Sequence, residues 1–472
     1  MRRIIVILLI TAAAGWAALR VAATSPIVNG NLAIVVAHPG DGEDDHLDPG
    51  TTIGVGTCAR CHGEKEKVGE SQKHWKSAYT AWINRDPHRR AFAVLYSARS
   101  VQIIKKLTAV DQQPIGDPKT EAYESYLKDN CTACHATAQE EVEDYSGEVA
   151  LDYTFRDGVS CESCHGAAAG WLEPHQNADG WKNKNDQELK ELGFTKNKDL
   201  TTRADVCVQC HVGSEGGAVN HDLIAAGHPR LNFEFYYYMD RYAVLSGHWD
   251  FKAEQNKDGF FAKTWAIGQL ASAKASLEVT QARAAGNLDG SVWPEFSEYG
   301  CFACHHDLEG IERHPGQPQW NSWYLTQHPF RVAGLQDDDP GSLDTIRNLM
   351  SKFALSPKAR ARVEQLSIDL AKKLKAKGVA KDALLKAVTT VPKKNWDAVG
   401  QWFLALWAFR DQMHHDGVAA SDLEQLDKRL EELRKLLDYP FGKPEQSKDL
   451  QDLDELVSKI VSEVNTVAKN PN

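Results

Sequence analysis

Cys161, Cys164 and His165 stand in the stretch Gly-Val-Ser-Cys-Glu-Ser-Cys-His-Gly, residues 158–166. Two thiols at this spacing can each add to a vinyl group of one porphyrin, and the imidazole that follows can turn onto its iron. Cys-x-x-Cys-His is accordingly an attachment signature for c-type haem. The same spacing recurs at Cys58/Cys61/His62, Cys131/Cys134/His135, Cys207/Cys210/His211 and Cys301/Cys304/His305. These five motifs use all ten cysteines, so none is left for a disulfide, a zinc cage or a catalytic thiol. A zinc ribbon would not place a histidine directly after every second cysteine. The sequence therefore predicts five covalent haem c groups.

The chemistry of each iron depends on its second axial position. An iron held by the motif histidine alone can take a small molecule, whereas a second histidine opposite it makes a six-coordinate centre suited to electron transfer. Of 18 histidines, five lie in motifs, which leaves 13 for at most five positions; only four methionines exist, so methionine ligation cannot be the rule. The candidates are His88, His175, His221, His228, His248 and His328, with His306 and His314 also close in sequence to the fifth motif. His38 and His46, in an irregular lead-in, and His414 and His415 read as surface histidines.

Placing these groups calls for a mainly α chain with little regular β structure, in which the haems form much of the core. Asp86-Pro87-His88 reads as a helix start that would put His88 on a rigid first turn within a helical pattern over 72–107. The second and third motifs are close enough in sequence for their haems to be neighbours, with a hairpin or lid expected around 149–155 between them. Residues 176–202 read as a solvated helix or loop. The aromatic cluster Phe233, Phe235, Tyr236, Tyr237 and Tyr238 reads as packing. Residues 260–286 predict an amphipathic, Ala-rich helix ending near Gly286.

Beyond residue 342 there is no cysteine, and helical signals follow one another. Ser356-Pro357 is a cap and first-position pair, 396–413 carries Val399, Trp402, Phe403 and Leu406 at helical spacing, and Ser421 with Glu424 predicts a capping box before Leu423, Leu426, Leu430 and Leu433. The leucine run spans barely two heptads, which favours an intramolecular bundle over a dimeric coiled coil. The expected organisation is 1–23 as signal peptide or N-terminal anchor, 24–341 as a pentahaem cytochrome c domain and 342–472 as a C-terminal α-helical domain.

Arg2 and Arg3 before the apolar run 4–19, with Val21-Ala22-Ala23 at a cleavage-like site, read as a secretory signal; an uncleaved membrane tether is the alternative. Haem c is attached outside the cytoplasm in bacteria, so a periplasmic or otherwise exported location is expected. The net charge of −11 leaves no global basic footprint, which argues against nucleic acid as a partner.

The third motif with the preceding Cys-x-x-Cys-His-Ala resembles the core of the cytochrome c-554 family of multihaem carriers. Asp-Pro-His-Arg-Arg-Ala-Phe (86–92), Asn-His-Asp-Leu-Ile-Ala-Ala-Gly-His-Pro-Arg-Leu (220–231) and Cys-Phe-Ala-Cys-His-His-Asp-Leu (301–308) extend the resemblance to larger members of that group, over about residues 55–330. The resemblance implies that His88 is the distal ligand of the third haem, held by His165, and His175 that of the first, held by His62. It implies a five-coordinate second haem in the smaller members. Here two of His221, His228 and His248 are expected to serve the second and fourth haems, and the fifth lies open between His328, His306 and the remaining one.

The expected function is transfer of electrons between redox proteins through five haems. The alternative is a haem enzyme of hydroxylamine oxidation or of nitrite or nitric oxide reduction, with a small nitrogen-oxide ligand at a five-coordinate iron. No Cys-x-x-Cys-Lys motif of the ammonia-forming nitrite reductases is present. A docking role for the C-terminal helices is compatible with the carrier reading, and the sequence says nothing of oligomeric state.

Overall fold

The computed structural model describes residues 50–64, 74–109, 113–137, 155–243, 259–288, 292–301, 319–326, 328–333, 343–374, 381–393, 396–437 and 453–469. His38, His46, His248, Cys304, His305, His306 and His314, the N-terminal apolar run and most of the expected hairpin around 149–155 lie outside them. Among the described residues the fold is mainly helical, and the β structure consists of two isolated bridges, Ser214 with Gly217 and Tyr299 with Trp320.

Short helices carry the motifs, and each of the first four motifs closes on the last residue of its helix. These helices are Val55–His62, Thr132–His135, Cys161–His165 and Leu200–His211. One turn of helix puts residues three and four apart on a common face. Two thiols and an imidazole are thereby presented to one side without further tertiary help.

The pattern over 72–107 is helical but broken. A 3-10 turn His74–Ser77 and helix Ala78–Arg85 are followed by 3-10 turns Pro87–Arg90 and Ala93–Tyr96 and by helix Ala98–Thr108. Pro87 offers no N–H to the preceding turn, and Ser97 starts the next helix by accepting from Ser100 N–H, so one continuous helix cannot form. Ile104 of the last helix packs with Phe92, Leu95, Tyr123 and Leu127, and the Tyr123 hydroxyl donates to Leu95 O at 2.6 Å.

Helix Phe260–Ala285 is the central strut. It packs against Leu200–His211 on the motif-bearing side and against Pro357–Lys373 and Trp396–His415 from the C-terminal region. Its expected end holds: Gly286 takes a left-handed φ of 83° and its N–H closes onto Ala282 O and Arg283 O. The expected amphipathicity does not. Thr264, Gln269, Ser272, Ser276, Thr280 and Arg283 are buried along with its alanines, because neighbours cover it on nearly all sides. Gly268 is required where the helix crosses residue 235, since a Cβ there would come within 2.5 Å of Phe235 Cβ.

Several of these buried polar groups are paired. Gln269 Nε2 donates to Gln401 Oε1 at 3.1 Å, and Arg283 Nη1 meets Glu298 Oε1 at 2.7 Å, both side chains being under a tenth exposed. Glu298 also accepts from Thr280 and from Trp320 Nε1 at 2.8 Å. Breaking such a buried pair is far more costly than its net contribution suggests.

Helices Pro357–Lys373, Trp396–His415 and Ala420–Leu437 form at the C-terminal positions predicted, and helix Leu453–Lys469 follows them. Ser356 caps the first by accepting from Ala359 N–H at 3.2 Å, with Pro357 in the first position. The capping box at Ser421 does not form, because the helix already begins at Ala420 and Ser421 lies inside it. Leu423, Leu426, Leu430 and Leu433 pack inward with Trp402, Leu406, Ile460 and Val464, in a core that also takes in Trp265 of the strut. The leucine run is thus spent within one chain. No helix among the described residues is long and apolar enough to cross a membrane.

Candidate haem sites

The motifs meet in pairs that skip one another in sequence. The side chain of Cys58, in the first, lies beside that of Cys161, in the third; the side chain of Cys134, in the second, lies beside that of Cys210, in the fourth. The second and third are also joined, as expected from their spacing. Thr137 N–H donates to Gly158 O at 2.9 Å, and Ser160 N–H donates to Thr137 Oγ1 at 2.7 Å. Burial pushes the Cys164 and Cys207 thiols up to about 12, which marks how apolar their surroundings are.

The attachment thiols differ in how deep they lie. Cys61 is exposed, as is Cys301 of the fifth motif, whereas Cys58 and the thiols of the second, third and fourth motifs are half-buried. The reason is the way helix Val55–His62 enters the fold. Its first turn is buried at Val55, Gly56 and Thr57, and its last turn runs out to the surface, carrying Arg60 and Cys61 into solvent. The first motif therefore has one thiol against the third motif and the other at the protein surface.

Three motif imidazoles face a second imidazole. His62 and His175 have ring centroids 6.4 Å apart with planes 16° apart. His135 and His228 are 6.4 Å apart and crossed at 84°, and His211 and His88 are 6.1 Å apart and crossed at 81°. Two nitrogen–metal bonds of about 2 Å, with about 1.1 Å from each nitrogen to its ring centre, span about 6.3 Å. The residues present therefore fit an iron between each pair.

Hydrogen bonds at the other ring nitrogen fix how these rings point. His88 Nδ1 lies 2.9 Å from Asp86 Oδ1, His135 Nδ1 lies 2.7 Å from Ala91 O, His228 Nδ1 lies 2.8 Å from Pro229 O, and His175 Nδ1 contacts Leu172 O. Such bonds set the tautomer and leave Nε2 for a metal. Asp86 acts twice, since it also caps the turn by accepting from His88 N–H at 3.0 Å. Burial holds His211 down to about 4, with the neighbouring His88 and His135 adding to it, so its ring is neutral and able to ligate at pH 7.

One pairing departs from expectation. The His88 carbonyl accepts from Val159 N–H, in the lead-in to the third motif, at 3.1 Å, while its ring is set against His211 of the fourth motif, where His165 is the expected partner. The carboxylate of Asp86 holds the ring in that direction. His228, one of three candidates for the second and fourth haems, has its ring set against His135 of the second motif. His221 N–H donates to Glu295 Oε1 at 2.7 Å, and its ring lies edge-on to Phe296 at 6.0 Å. His328 is buried with its ring 5.8 Å from that of Trp265. The ring of His165 stacks at 6.2 Å on Phe194.

Residues outside the motifs hold the sites together, and sequence reasoning missed most of them. Glu162, between the cysteines of the third motif, is buried and accepts from Ile53 N–H at 3.0 Å, Gly54 N–H at 2.9 Å and Ala168 N–H at 2.8 Å. It ties the start of the first motif's helix to the third. A carboxylate inside an attachment motif was the available signal. Gly166 takes φ +81°, and a Cβ there would lie 2.0 Å from Gly193 O, so only glycine lets the chain return beside the motif.

Glu234 caps helix Phe235–Tyr238 by accepting from Tyr237 N–H at 2.7 Å, and this helix delivers Tyr238 to within 6.3 Å of His88 and 5.2 Å of His211. Burial pushes its carboxyl up to about 7. The folded protein thus keeps a proton that the unfolded chain releases between about pH 4.5 and 7, and stability falls as pH rises through that window. Glu234→Gln is expected to be less stable than the parent at pH 5 and to gain on it by up to about 3 kcal/mol by pH 8, measured by denaturant titration. A constant difference between the two pH values would contradict the assignment.

Residues 57–166, which hold the first three motifs and His88, match the family model of cytochrome c554 and c-prime. No curated protein and no solved structure matches the chain.

Proposed function

We propose, on the premise that this is a c-type cytochrome of a cytochrome c554-like family carrying covalent haem c, that the chain is a five-haem electron carrier working between redox proteins outside the cytoplasm. The observation that carries this reading is the set of three facing imidazole pairs at 6.1–6.4 Å. Haem c supplies an iron that gains or loses one electron.

The chain's own residues prepare that step. Asp86 and the carbonyls of Ala91, Leu172 and Pro229 orient the imidazoles of His88, His135, His175 and His228, so that His88, His175 and His228 would hold the irons of the fourth, first and second motifs together with the motif histidines. Two strong-field nitrogens leave no place for substrate there, and ligation need not change with oxidation state. The meeting of the first motif with the third, and of the second with the fourth, brings attached groups near one another, which is what tunnelling requires. The third and fifth motifs complete the count of five through the same Cys-x-x-Cys-His chemistry. The leader before residue 24 supports export, with either cleavage or retention as a tether.

Optical and EPR spectra of the ferric protein, with and without cyanide or nitric oxide, test the reading. Low-spin haems indifferent to ligand at the first, second and fourth motifs are expected. A high-spin haem that binds ligand at one of those three would overturn the assignment and favour nitrogen-oxide chemistry.

A further inference from the structure

We propose that Asp397, on helix Trp396–His415, is a positioning residue for the haem site of the second motif. The inference rests on His228 being the ligand opposite His135. The His228 ring is oriented through Nδ1 to Pro229 O at 2.8 Å, and the next residue, Arg230, is gripped by Asp397 at both ends of its fork. Nη1 lies 2.8 Å from Oδ1 and Nη2 lies 3.0 Å from Oδ2, with the two side chains 20% and 5% exposed. A bidentate guanidinium–carboxylate pair fixes direction as well as distance. Ser322 Oγ donates to the same carboxylate, and Tyr324 hydroxyl donates to Leu231 O at 2.7 Å on the far side of the segment.

The anchor itself is rigid. Asp397 sits in the first turn of a 20-residue helix, where the helix dipole favours a carboxylate. Trp396 beside it stacks on Trp323 at 5.7 Å, and Gly400 leaves only 3.0 Å between a would-be Cβ and the Trp323 ring. The orienting carbonyl of Pro229 is therefore placed by a helix 167 residues further along the chain than Arg230. The C-terminal helices, which lie outside the family match, would by this route set the ligation of one haem.

The test uses the full-length holoprotein. Asp397→Asn leaves Arg230 with a neutral partner; because an uncompensated buried charge can unfold a protein, the double variant Arg230→Met/Asp397→Leu removes both charges and keeps the volume. In either variant with full haem content, the ferric EPR signal of one crossed-imidazole haem should change. Its reduced-to-oxidised ratio at fixed potential should move about tenfold, or about 59 mV for a one-electron couple. The first and fourth haems should stay as they were. Unchanged EPR and potential in the folded double variant would overturn the proposal. His228→Ala separates the two levels: if it too leaves every haem unchanged, the ligand assignment has failed, and if it makes one haem high-spin while the double variant is silent, only the positioning role has failed.

Discussion

Replacing His175 by alanine is expected to convert the first haem, and no other of those with paired imidazoles, from low spin to high spin, although His175 lies ten residues beyond His165 in the third motif. The ring of His175 stands 6.4 Å from that of His62 and nearly parallel to it. Trp171 and Trp181 pack edge-on to it at 5.2 and 6.2 Å, and Leu172 O holds its Nδ1, so its neighbours fix the direction of the ring. Alanine would leave that haem with an open position. Added imidazole or cyanide should then bind to it, and the difference spectrum should carry about one haem equivalent. An unaltered spectrum would show that His62 has another partner.

Glu162→Ala is the second large effect expected. Removal of the carboxylate strands the N–H groups of Ile53, Gly54 and Ala168 in a buried place, and each unsatisfied donor costs about 1–3 kcal/mol. A loss of about 3 kcal/mol or more is expected in denaturant titration followed on the haem Soret band. The damage should centre on the first and third motifs, because Glu162 is what fastens one to the other. Glu162→Gln keeps one acceptor oxygen and should lose roughly half as much. An alanine variant as stable as the parent would mean that water satisfies these donors and that Glu162 has no clamping role.

The attachment motifs were legible because their chemistry is local: two thiols and an imidazole within one helical turn need nothing from the rest of the chain. How deep each thiol sits was not, as the contrast between half-buried Cys58 and exposed Cys61 in one motif shows. The cap at Asp86 was legible for the same local reason, but the motif that the His88 ring faces was not. Its backbone touches the third motif while its ring crosses to the fourth, and that choice is made by contacts between segments far apart in sequence. The strut Phe260–Ala285 could be placed to within a residue, yet its serines and threonines suggested a wet face. They are buried because partners such as Asn321, Glu298 and Gln401 arrive from elsewhere. Glu162 escaped notice since nothing in the spacing of a Cys-x-x-Cys-His motif says which way its middle residues point. The grip of Asp397 on Arg230 has no sequence signature at all.

The central claim is that three irons lie between the imidazole pairs His62/His175, His135/His228 and His211/His88. The angle between ring planes makes it directly measurable. Near-parallel planes split the iron d orbitals that interact with the ring π systems, while crossed planes leave them almost degenerate and produce a far more anisotropic ferric signal. Low-temperature EPR of the fully oxidised holoprotein should therefore show a rhombic low-spin signal for the pair at 16° and two strongly anisotropic low-spin signals for the pairs at 84° and 81°. Absence of the strongly anisotropic class would contradict the account.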